Sequence, residues 1–262
     1  MLKKLTLAAA AATMAFAAHT ASAADMKELR IGVEGAYPPF SEKTADGELI
    51  GFDIDIAYAL CEKMHAKCTM VEQDWDGIIP ALLAKKYDAI VASMSITEER
   101  KKRVDFSDKY YNTPGKFTAK EGAFPDDKPS TLAGKTIGVQ RGTIHDDFVS
   151  SVYPDSEIKR YGTQEEAYLD LMAGRLDAIE ADGLATSDGF LKTDNGKGFA
   201  FFGADHNEVK YFGEGAGIAV RKGDDDLRKA FNKAIKEIRA DGTYDKRSEE
   251  HTSNSSHVAI SY

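Results

Sequence analysis

Few residues of this 262-residue sequence are suited to metal binding, and positive charge is in deficit. It has two cysteines and six histidines, with no HExxH or CxxC spacing among them. Because a metal site needs such ligands clustered at short spacing, we predict no metal. Lysine and arginine number 34 against 43 acidic residues, a formal net charge of −9. This deficit argues against a nucleic-acid partner, which needs clustered positive charge to neutralise phosphates.

Motifs of catalysis and nucleotide binding are also missing. The sequence contains no Gly-x-Ser-x-Gly elbow and no Walker sequence. A glycine-rich segment at 213–217 precedes a predicted strand instead of opening a helix, so we interpret it as a flexible turn. Ser93, His145 and Asp182 have the residue types of a catalytic triad, but nothing in their spacing supports one. We therefore expect neither an enzyme nor a bound cofactor.

Apolar runs long enough to span a membrane are absent too. The longest run that is present lies near the amino terminus. Lys3 and Lys4 precede an apolar run at residues 5–18, which is followed by Ala21-Ser22-Ala23. These are the three parts of a secretory signal, and the run is shorter than the about 20 residues that span a bilayer. We predict a signal peptide over residues 1–23, cleaved after Ala23, and an exported soluble protein. A buried Ala-rich helix is the alternative.

The carboxyl-terminal residues 247–262 lack an apolar period of 3.6. A glycosylation sequon begins at Asn254, which we interpret as a chance match. The segment also resembles translated sequencing-adapter read-through. We expect a tail without a helix and without a function.

Between these ends, short apolar strands alternate with amphipathic helices, which favours an α/β fold. The predicted strands are 29–33, 68–72, 89–93, 136–139, 178–181 and 217–220, and the predicted helices are 53–65, 76–86, 143–152, 164–173 and 224–240. Residues 82–92 (LLAKKYDAIVA) resemble residues 171–181 (LMAGRLDAIEA), and the Ile-Gly-Val at 31–33 recurs at 137–139. Two echoes in the same order predict two similar lobes.

Ligands of open α/β sheets bind beyond the carboxyl ends of the strands. The residues that follow the predicted strands include charged groups, hydroxyls and an aromatic ring. They are Glu34, Gly35, Tyr37, Ser93, Ser95, Gln140, Arg141, Gly142, Thr143 and Asp182.

Several motifs resemble those of the family 3 periplasmic solute-binding proteins, the polar amino-acid receptors of ABC importers. They are residues 51–64 (GFDIDIAYALCEKM), 37–40 (YPPF), 74–80 (DWDGIIP), 95–100 (SITEER), 105–108 (DFSD) and 241–245 (DGTYD). The resemblance covers residues 29–246 and is strongest to the lysine/arginine/ornithine- and histidine-binding branch. It implies a two-lobed type II periplasmic-binding-protein fold, each lobe a sheet flanked by helices. Residues 24–112 with 214–246 would form lobe 1, residues 113–213 lobe 2, and two hinge crossings would join them.

The resemblance also implies a role for each site residue. Arg100 would clamp the ligand α-carboxylate, helped by Ser95 and the turn at Gly142-Thr143-Ile144. Asp182 would hold the α-ammonium group. Tyr37 and Trp75 would sandwich the ligand side chain, whose far end would meet Glu34, with Ser93, Gln140 and His145 nearby.

Cys61 and Cys68 are the only two cysteines. An even count in an exported protein predicts a disulfide, and the branch shares this pair. Two free buried thiols remain the alternative.

Three departures from the branch leave the identity of the ligand open. The branch has Asp at the position of Glu34, Ser at that of Ala92, and Ser-Thr-Gln where this chain has Thr143-Ile144-His145. The acidic pocket end still favours a cationic side chain, because an unpaired buried carboxylate is costly. A charged His145 would oppose that cation, so we expect it to be neutral or turned away.

These features predict the binding component of an amino-acid ABC importer. It would be a periplasmic monomer that captures free lysine, arginine or ornithine, or histidine, by hinge closure. The closed form would then dock with an inner-membrane permease complex. The alternatives are an exported cyclohexadienyl dehydratase-like enzyme, with Glu34 as its acid, and a ligand-sensing module of a receptor.

Overall fold

The computed structural model describes residues 27–252, so the predicted signal peptide and residues 253–262 lie outside it. The described strands form two five-stranded sheets and one small three-stranded sheet. Helices pack on both large sheets, and each sheet is the centre of one lobe. The predicted α/β, two-lobed architecture is therefore confirmed. Within the described part, no helix has the length and apolar character needed to cross a membrane.

The strands and helices are numbered here in chain order. The strands are β1 (Lys27–Val33), β2 (Ala36–Tyr37), β3 (Ser41–Lys43), β4 (Leu49–Ile50), β5 (Ala66–Glu72), β6 (Ala89–Ile90), β7 (Val104–Tyr111), β8 (Gly115–Lys120), β9 (Thr136–Gln140), β10 (Glu157–Tyr161), β11 (Ala178–Asp182), β12 (Phe199–His206) and β13 (Ala216–Arg221). The helices are α1 (Phe52–Lys63), α2 (Ile78–Leu83), α3 (Glu98–Lys101), α4 (Pro129–Leu132), α5 (Ile144–Val152), α6 (Gln164–Met172), α7 (Gly183–Thr186), α8 (Val209–Phe212), α9 (Asp225–Ala240) and α10 (Thr243–Thr252).

The two large sheets have the same topology. The first has the order β5-β1-β6-β13-β7 and the second β10-β9-β11-β8-β12. In each sheet the first three strands are parallel, the fourth is antiparallel to them, and the fifth is antiparallel to the fourth. The chain passes from β7 into the second sheet through residues 112–114, and it returns from α8 to β13 through residues 213–215. The two lobes are thus joined by two crossings.

The two sequence repeats pair their strands in the same register, β1 with β6 and β9 with β11. Ile31 of β1 lies opposite Ala89 of β6, and Ile137 of β9 lies opposite Ala178 of β11. These are the residues that correspond in the two repeats, so each repeat builds the same piece of sheet.

Both repeats also need a glycine at the same place. A Cβ atom on Gly32 would collide with the ring of Tyr87, and one on Gly138 would collide with the side chain of Leu176. Tyr87 and Leu176 occupy equivalent positions in the echo. Each large side chain is therefore packed against a bare strand backbone in its own lobe.

Several predicted elements are shorter in the structure. The strand predicted at 89–93 ends at Ile90, because the chain turns at Ser93, whose φ is +53°. The helix predicted at 76–86 is α2, which follows a 3₁₀ turn at Trp75–Gly77. We did not predict β7, β8, β10, β12 or the small sheet from the sequence. Strands β7, β8 and β10 have no clear apolar run, whereas β12 begins with one, Phe-Ala-Phe-Phe at 199–202.

Helix α9 has the apolar stripe that its sequence predicts. All five stripe residues are buried on the first lobe: Leu227, Phe231, Ala234, Ile235 and Ile238. A stripe at the 3.6-residue period faces one neighbouring surface, and here it packs against α1 and β7.

We expected no helix after Lys246, but α10 continues to Thr252 and corrects that expectation. Tyr244 is buried with its ring centroid 5.8 Å from that of Phe52. His251 Nε2 lies 2.9 Å from an oxygen of Asp55, and Arg247 reaches the same carboxylate at 3.7 Å. Polar contacts fix the second half of this helix, which is why an apolar period did not reveal it. Up to Thr252, this helix therefore packs on the first lobe.

Cys61 at the end of α1 and Cys68 in β5 form a disulfide, and the alternative of free thiols is wrong. Seven residues of sequence separation make a short closed loop between helix and strand. Closing such a loop removes conformations from the unfolded chain, a stabilisation of roughly 2–3 kcal/mol in the loop-entropy description.

We therefore expect the double variant Cys61→Ser/Cys68→Ser to lose about 2–3 kcal/mol of unfolding free energy. Denaturant unfolding followed by circular dichroism would measure this loss. The wild-type protein under reducing conditions is the control and should show a similar loss. Identical midpoints for variant and oxidised wild type would contradict the expectation.

Candidate functional site

A cavity lies between the two lobes, beyond the carboxyl ends of their central strands. All eleven predicted site residues line it: Glu34, Tyr37, Trp75, Ser93, Ser95, Arg100, Gln140, Thr143, Ile144, His145 and Asp182. The structure thus brings together residues that are spread over nearly 150 positions of sequence.

Arg100 is held in the cavity by the start of α3. Thr97 caps this helix by accepting a hydrogen bond from the Arg100 amide at 3.2 Å. The Arg100 guanidinium donates to the Ser95 carbonyl at 3.0 Å and lies 5.2 Å from the ring centroid of Trp75. Burial lowers the pKa of Arg100 to about 10, and no carboxylate of the described residues pairs with it directly. The guanidinium is still charged at neutral pH, with donors left for an anion.

Tyr37 and Trp75 are two of the aromatic side chains of the first lobe that line the cavity. Tyr37 stacks on Phe40 with ring centroids 6.0 Å apart, which fixes its orientation. The Trp75 indole is fixed by the Arg100 contact and by a hydrogen bond from its Nε1 to the Gly142 carbonyl at 3.1 Å. Both rings can contact a flat or aliphatic ligand group, and both can bind a cation through their faces.

Glu34 is buried at the end of β1, where the Nε2 group of Gln140 donates to its carboxylate. Burial raises the pKa of Glu34 to about 7, against the opposing effect of the Gln140 hydrogen bond. Nearby carboxylates, with Asp74 foremost, raise it further. Glu34 and Gln140 occupy equivalent positions in the sequence echo, so they meet across the interface between the lobes.

Asp182 ends β11 and caps α7. Its Oδ1 accepts from the amides of Leu184 and Ala185 at 2.8 and 3.0 Å, and its Oδ2 accepts from the Thr113 hydroxyl. Burial raises the pKa of Asp182, and these donors oppose that rise. A cationic ligand group would favour the charged form of this carboxylate.

His145 lines the cavity from the first turn of α5, so it is not turned away as we expected. Its Nδ1 lies 2.7 Å from Oε2 of Glu180, which is completely buried in β11. Burial opposes a charge on His145, but the Glu180 carboxylate outweighs burial and raises the pKa of the imidazole. Sequence reasoning missed Glu180, although a single acid within the apolar strand Ala-Ile-Glu-Ala was a signal.

Ser93 and Ser95 follow β6 and line the first-lobe side of the cavity. The Ser93 hydroxyl donates to Asp53 at 2.8 Å, and the Tyr110 hydroxyl donates to the other oxygen of Asp53 at 2.7 Å. Ser93 has a left-handed backbone, a conformation that costs free energy for a residue other than glycine. Asp53, whose pKa burial raises to about 6, thus holds Ser93 in its strained position.

Thr143 uses its hydroxyl within the protein. The hydroxyl donates to the Gln140 carbonyl at 2.8 Å and accepts from the Asp146 amide at 3.2 Å, so Thr143 caps α5. The backbone amides at the start of α5 have no carbonyl partner within the helix. These amides, with the positive end of the helix dipole, are suited to an anion.

The lobes contact each other beside the cavity at consecutive residues. Trp75 donates to the Gly142 carbonyl, and the next residue, Asp76, accepts from Arg141 Nη1 at 2.8 Å. We call these two contacts the latch. Each contact joins a residue of one lobe to a residue of the other, so a separation of the lobes would break both.

Six further residues line the cavity that sequence reasoning did not propose as site residues. They are Ala92, Tyr111, Asn112, Thr113, Phe212 and Ala216. Ala92 adjoins Ser93, and the other five lie in or next to the two crossings between the lobes. Residues at chain crossings necessarily border an interlobe cavity, so the predicted hinges were the available signal.

Comparisons with known proteins agree with this geometry. The sequence profile of the bacterial extracellular solute-binding proteins, family 3, matches residues 29–254. An L-arginine-binding protein of Pseudomonas aeruginosa is 54% identical over 245 residues, which are 93% of this chain and 94% of that protein. A lysine/arginine/ornithine-binding periplasmic protein of Escherichia coli is 44% identical over 83% of this chain and 85% of its own length.

A solved structure of a periplasmic binding protein from Salmonella typhimurium, described as having high arginine specificity, has a TM-score of 0.80. It is 31% identical, and the match covers 86% of this chain and 99% of that one. The matched profile covers most of this chain, and the solved structure shares its two-lobed fold. The chain belongs to the bacterial extracellular solute-binding proteins of family 3.

Proposed function

We propose that this protein captures a free basic amino acid for an amino-acid ABC importer. One observation carries the proposal: the two lobes present opposite charges to the same cavity, Arg100 from the first and Asp182 from the second. The α-carboxylate of an amino acid would bind Arg100 and the amides at the start of α5. Its α-ammonium group would bind Asp182. A guanidinium and a carboxylate satisfy these groups with strong, charge-assisted hydrogen bonds.

The ligand side chain would extend between Tyr37 and Trp75 towards Glu34. A guanidinium or ammonium group there would give the buried Glu34 carboxylate a cationic partner, which lowers the free energy of its charged form. Arginine is the first ligand to test, because two of the similar proteins are named for arginine. Lysine and ornithine have the same charges at other side-chain lengths.

Capture would proceed by closure of the lobes. Arg100 and Asp182 belong to different lobes, so a zwitterion can bind both groups in the closed form alone. The ligand thereby stabilises the closed form, in which the latch is also made. This form would be the one that an inner-membrane permease complex recognises in the periplasm, with the protein acting as a monomer after removal of residues 1–23.

A dehydratase is the second candidate, because a carboxylic acid with a pKa of about 7 could serve as a proton donor at Glu34. We favour binding without catalysis, since the paired charges of Arg100 and Asp182 match the α-groups of a free amino acid. Prephenate and arogenate should therefore give no phenylpyruvate or phenylalanine when incubated with the protein.

A sensory role would use the same closed form, and neighbouring permease and ATPase genes would indicate transport.

We expect Arg100→Ala to weaken arginine binding by at least about 100-fold, since it removes two charge-assisted hydrogen bonds. Arg100→Lys is the matched variant. It keeps the charge but lacks the planar fork, so it should recover part of the affinity. Isothermal titration calorimetry measures both values, with circular dichroism to verify folding. An alanine variant that binds arginine within about threefold of the wild type would refute the carboxylate clamp.

Arginine affinity should rise with pH around neutrality. Free Glu34 has a raised pKa of about 7 because it is buried, and a cationic ligand binds its deprotonated form. Below pH 7 a proton must leave before the cation binds, so the affinity should fall by up to about tenfold per pH unit. Above pH 7 this effect should level off. Glu34→Gln is the control and should abolish this dependence while reducing the preference for arginine over glutamine. A wild-type affinity that is constant between pH 5.5 and 7.5 would contradict the role of Glu34.

The latch should add to the affinity without touching the ligand. We expect Arg141→Gln to weaken arginine binding by up to about fivefold, since an exposed ion pair contributes 0–1 kcal/mol. Arg175→Gln is the control, because Arg175 pairs with Asp170 inside the second lobe and should not affect closure. The Arg141 effect should disappear in high salt. Equal effects of the two variants would mean that the ion pair across the cleft has no role in closure.

A further inference from the structure

The wall of the second lobe contains a buried acid at an unexpected place. Glu180 lies within β11 with none of its surface exposed. The sequence echo gives it Val91 as the equivalent residue of the first lobe, and Val91 is fully buried too. A buried position that holds an aliphatic side chain in one lobe, directly after β6, therefore holds a carboxylate in the other. Burying that carboxylate is costly unless it is paired.

His145 is the partner of this carboxylate. Its Nδ1 lies 2.7 Å from Glu180 Oε2, whereas the other oxygen, Oε1, has no hydrogen-bond partner among residues 27–252. Space for Oε1 exists because residue 115 is a glycine, whose Cβ would collide with this oxygen. With one oxygen unpaired, Glu180 depends on His145 for its stabilisation. A positively charged His145 beside the negatively charged Glu180 provides this stabilisation in a buried position.

The other nitrogen of the imidazole remains for a ligand. Nδ1 is occupied by Glu180, so Nε2 is the remaining donor of a ring that lines the cavity. Across the ring, Phe212 of α8 supplies an uncharged face, with centroids 5.8 Å apart. Besides Glu180, the charges that act on His145 are Asp182 of β11 and Arg100 of the first lobe. These are the two groups that would bind the α-ammonium and α-carboxylate groups.

We propose that His145, held as an imidazolium by Glu180, is a specificity-determining residue that donates its Nε2–H to the ligand carboxylate beside Arg100. This inference rests on the proposed capture of a basic amino acid. The His145–Glu180 pair is neutral in sum, so it adds a charged donor without adding net repulsion towards a cationic side chain. The site thereby gains selectivity for ligands that have a free carboxylate.

A dependence on pH follows from this arrangement. Glu180 raises the pKa of His145 above its usual value although burial opposes this. As the pH rises through that pKa, the imidazole loses its charge and its donated hydrogen bond to the carboxylate weakens. The affinity for a carboxylate-bearing ligand should then decrease on the alkaline side.

The test compares the wild type with the double variant His145→Gln/Glu180→Gln. Two amides keep a hydrogen-bonded polar pair at the buried position and remove both charges. Isothermal titration calorimetry with arginine at pH 6–10 gives the ratio of the two dissociation constants. We expect a ratio of about 10 to 100 at neutral pH, from the loss of one hydrogen bond between charged groups, and a decline of this ratio as the pH rises. Taking the ratio cancels the titration of the ligand's own amino group.

Two further measurements separate a role in recognition from a role in folding. Agmatine, which is arginine without its carboxylate, should change its weaker affinity by less than about threefold between the two proteins. Glu180→Gln alone should also lose the alkaline decrease, because His145 then lacks its anionic partner. Thermal unfolding without ligand verifies that the variants are folded.

A ratio that does not change with pH, or an equal loss for arginine and agmatine, would reduce the pair to a structural element and overturn the inference. If the wild type bound no basic amino acid, the proposed function would fall and this inference with it. If both proteins bound arginine equally well, the inference alone would fall.

Discussion

The structure depends on one constraint, which is the burial of charged side chains between the two lobes. Arg100, Asp182 and Glu34 lose much of their hydration in the closed cavity, and the protein gives each of them an incomplete set of partners. The shifted pKa values of all three report that shortage. A ligand with matching charges in matching places, such as the proposed basic amino acid, would supply the missing partners. Behind the cavity, Asp53 and Glu180 hold Ser93 and His145 in position.

The repeated architecture explains how such a cavity arises. Equivalent strand ends of the two lobes face each other, so residues at equivalent positions become neighbours across the cleft. Glu34 and Gln140 form such a pair and are hydrogen-bonded to each other. Ser93 and Asp182 are also equivalent in the echo, yet one is a neutral hydroxyl and the other a carboxylate. The lobes share their backbone topology and differ in side-chain chemistry at these few positions, which makes the cavity chemically asymmetric.

Much of this was predictable because strand ends are readable in sequence. The α/β class, the two lobes and the residues after each central strand follow from apolar runs, the echo and the strand-end rule. The antiparallel strand β8 was not predictable, because its residues form no clear apolar run, whereas the run Phe-Ala-Phe-Phe that begins β12 was a signal that we did not use. The second half of α10 was missed because its contacts are polar, through Arg247 and His251 to Asp55. Glu180 was missed because a charged side chain inside a strand is easily taken for a solvent-facing one, and burial depends on tertiary packing.

The position of β13 has a consequence for the order in which the lobes can be completed. In the first sheet β13 lies between β6 and β7, although it follows the entire second lobe in the chain. Until residue 221 has emerged from the ribosome or a translocation pore, β7 therefore has no neighbour to pair with on that side. The second sheet needs no strand beyond His206. The lobe that is begun first is thus finished last, and its open edge is exposed to other chains for as long as the rest of the protein takes to emerge.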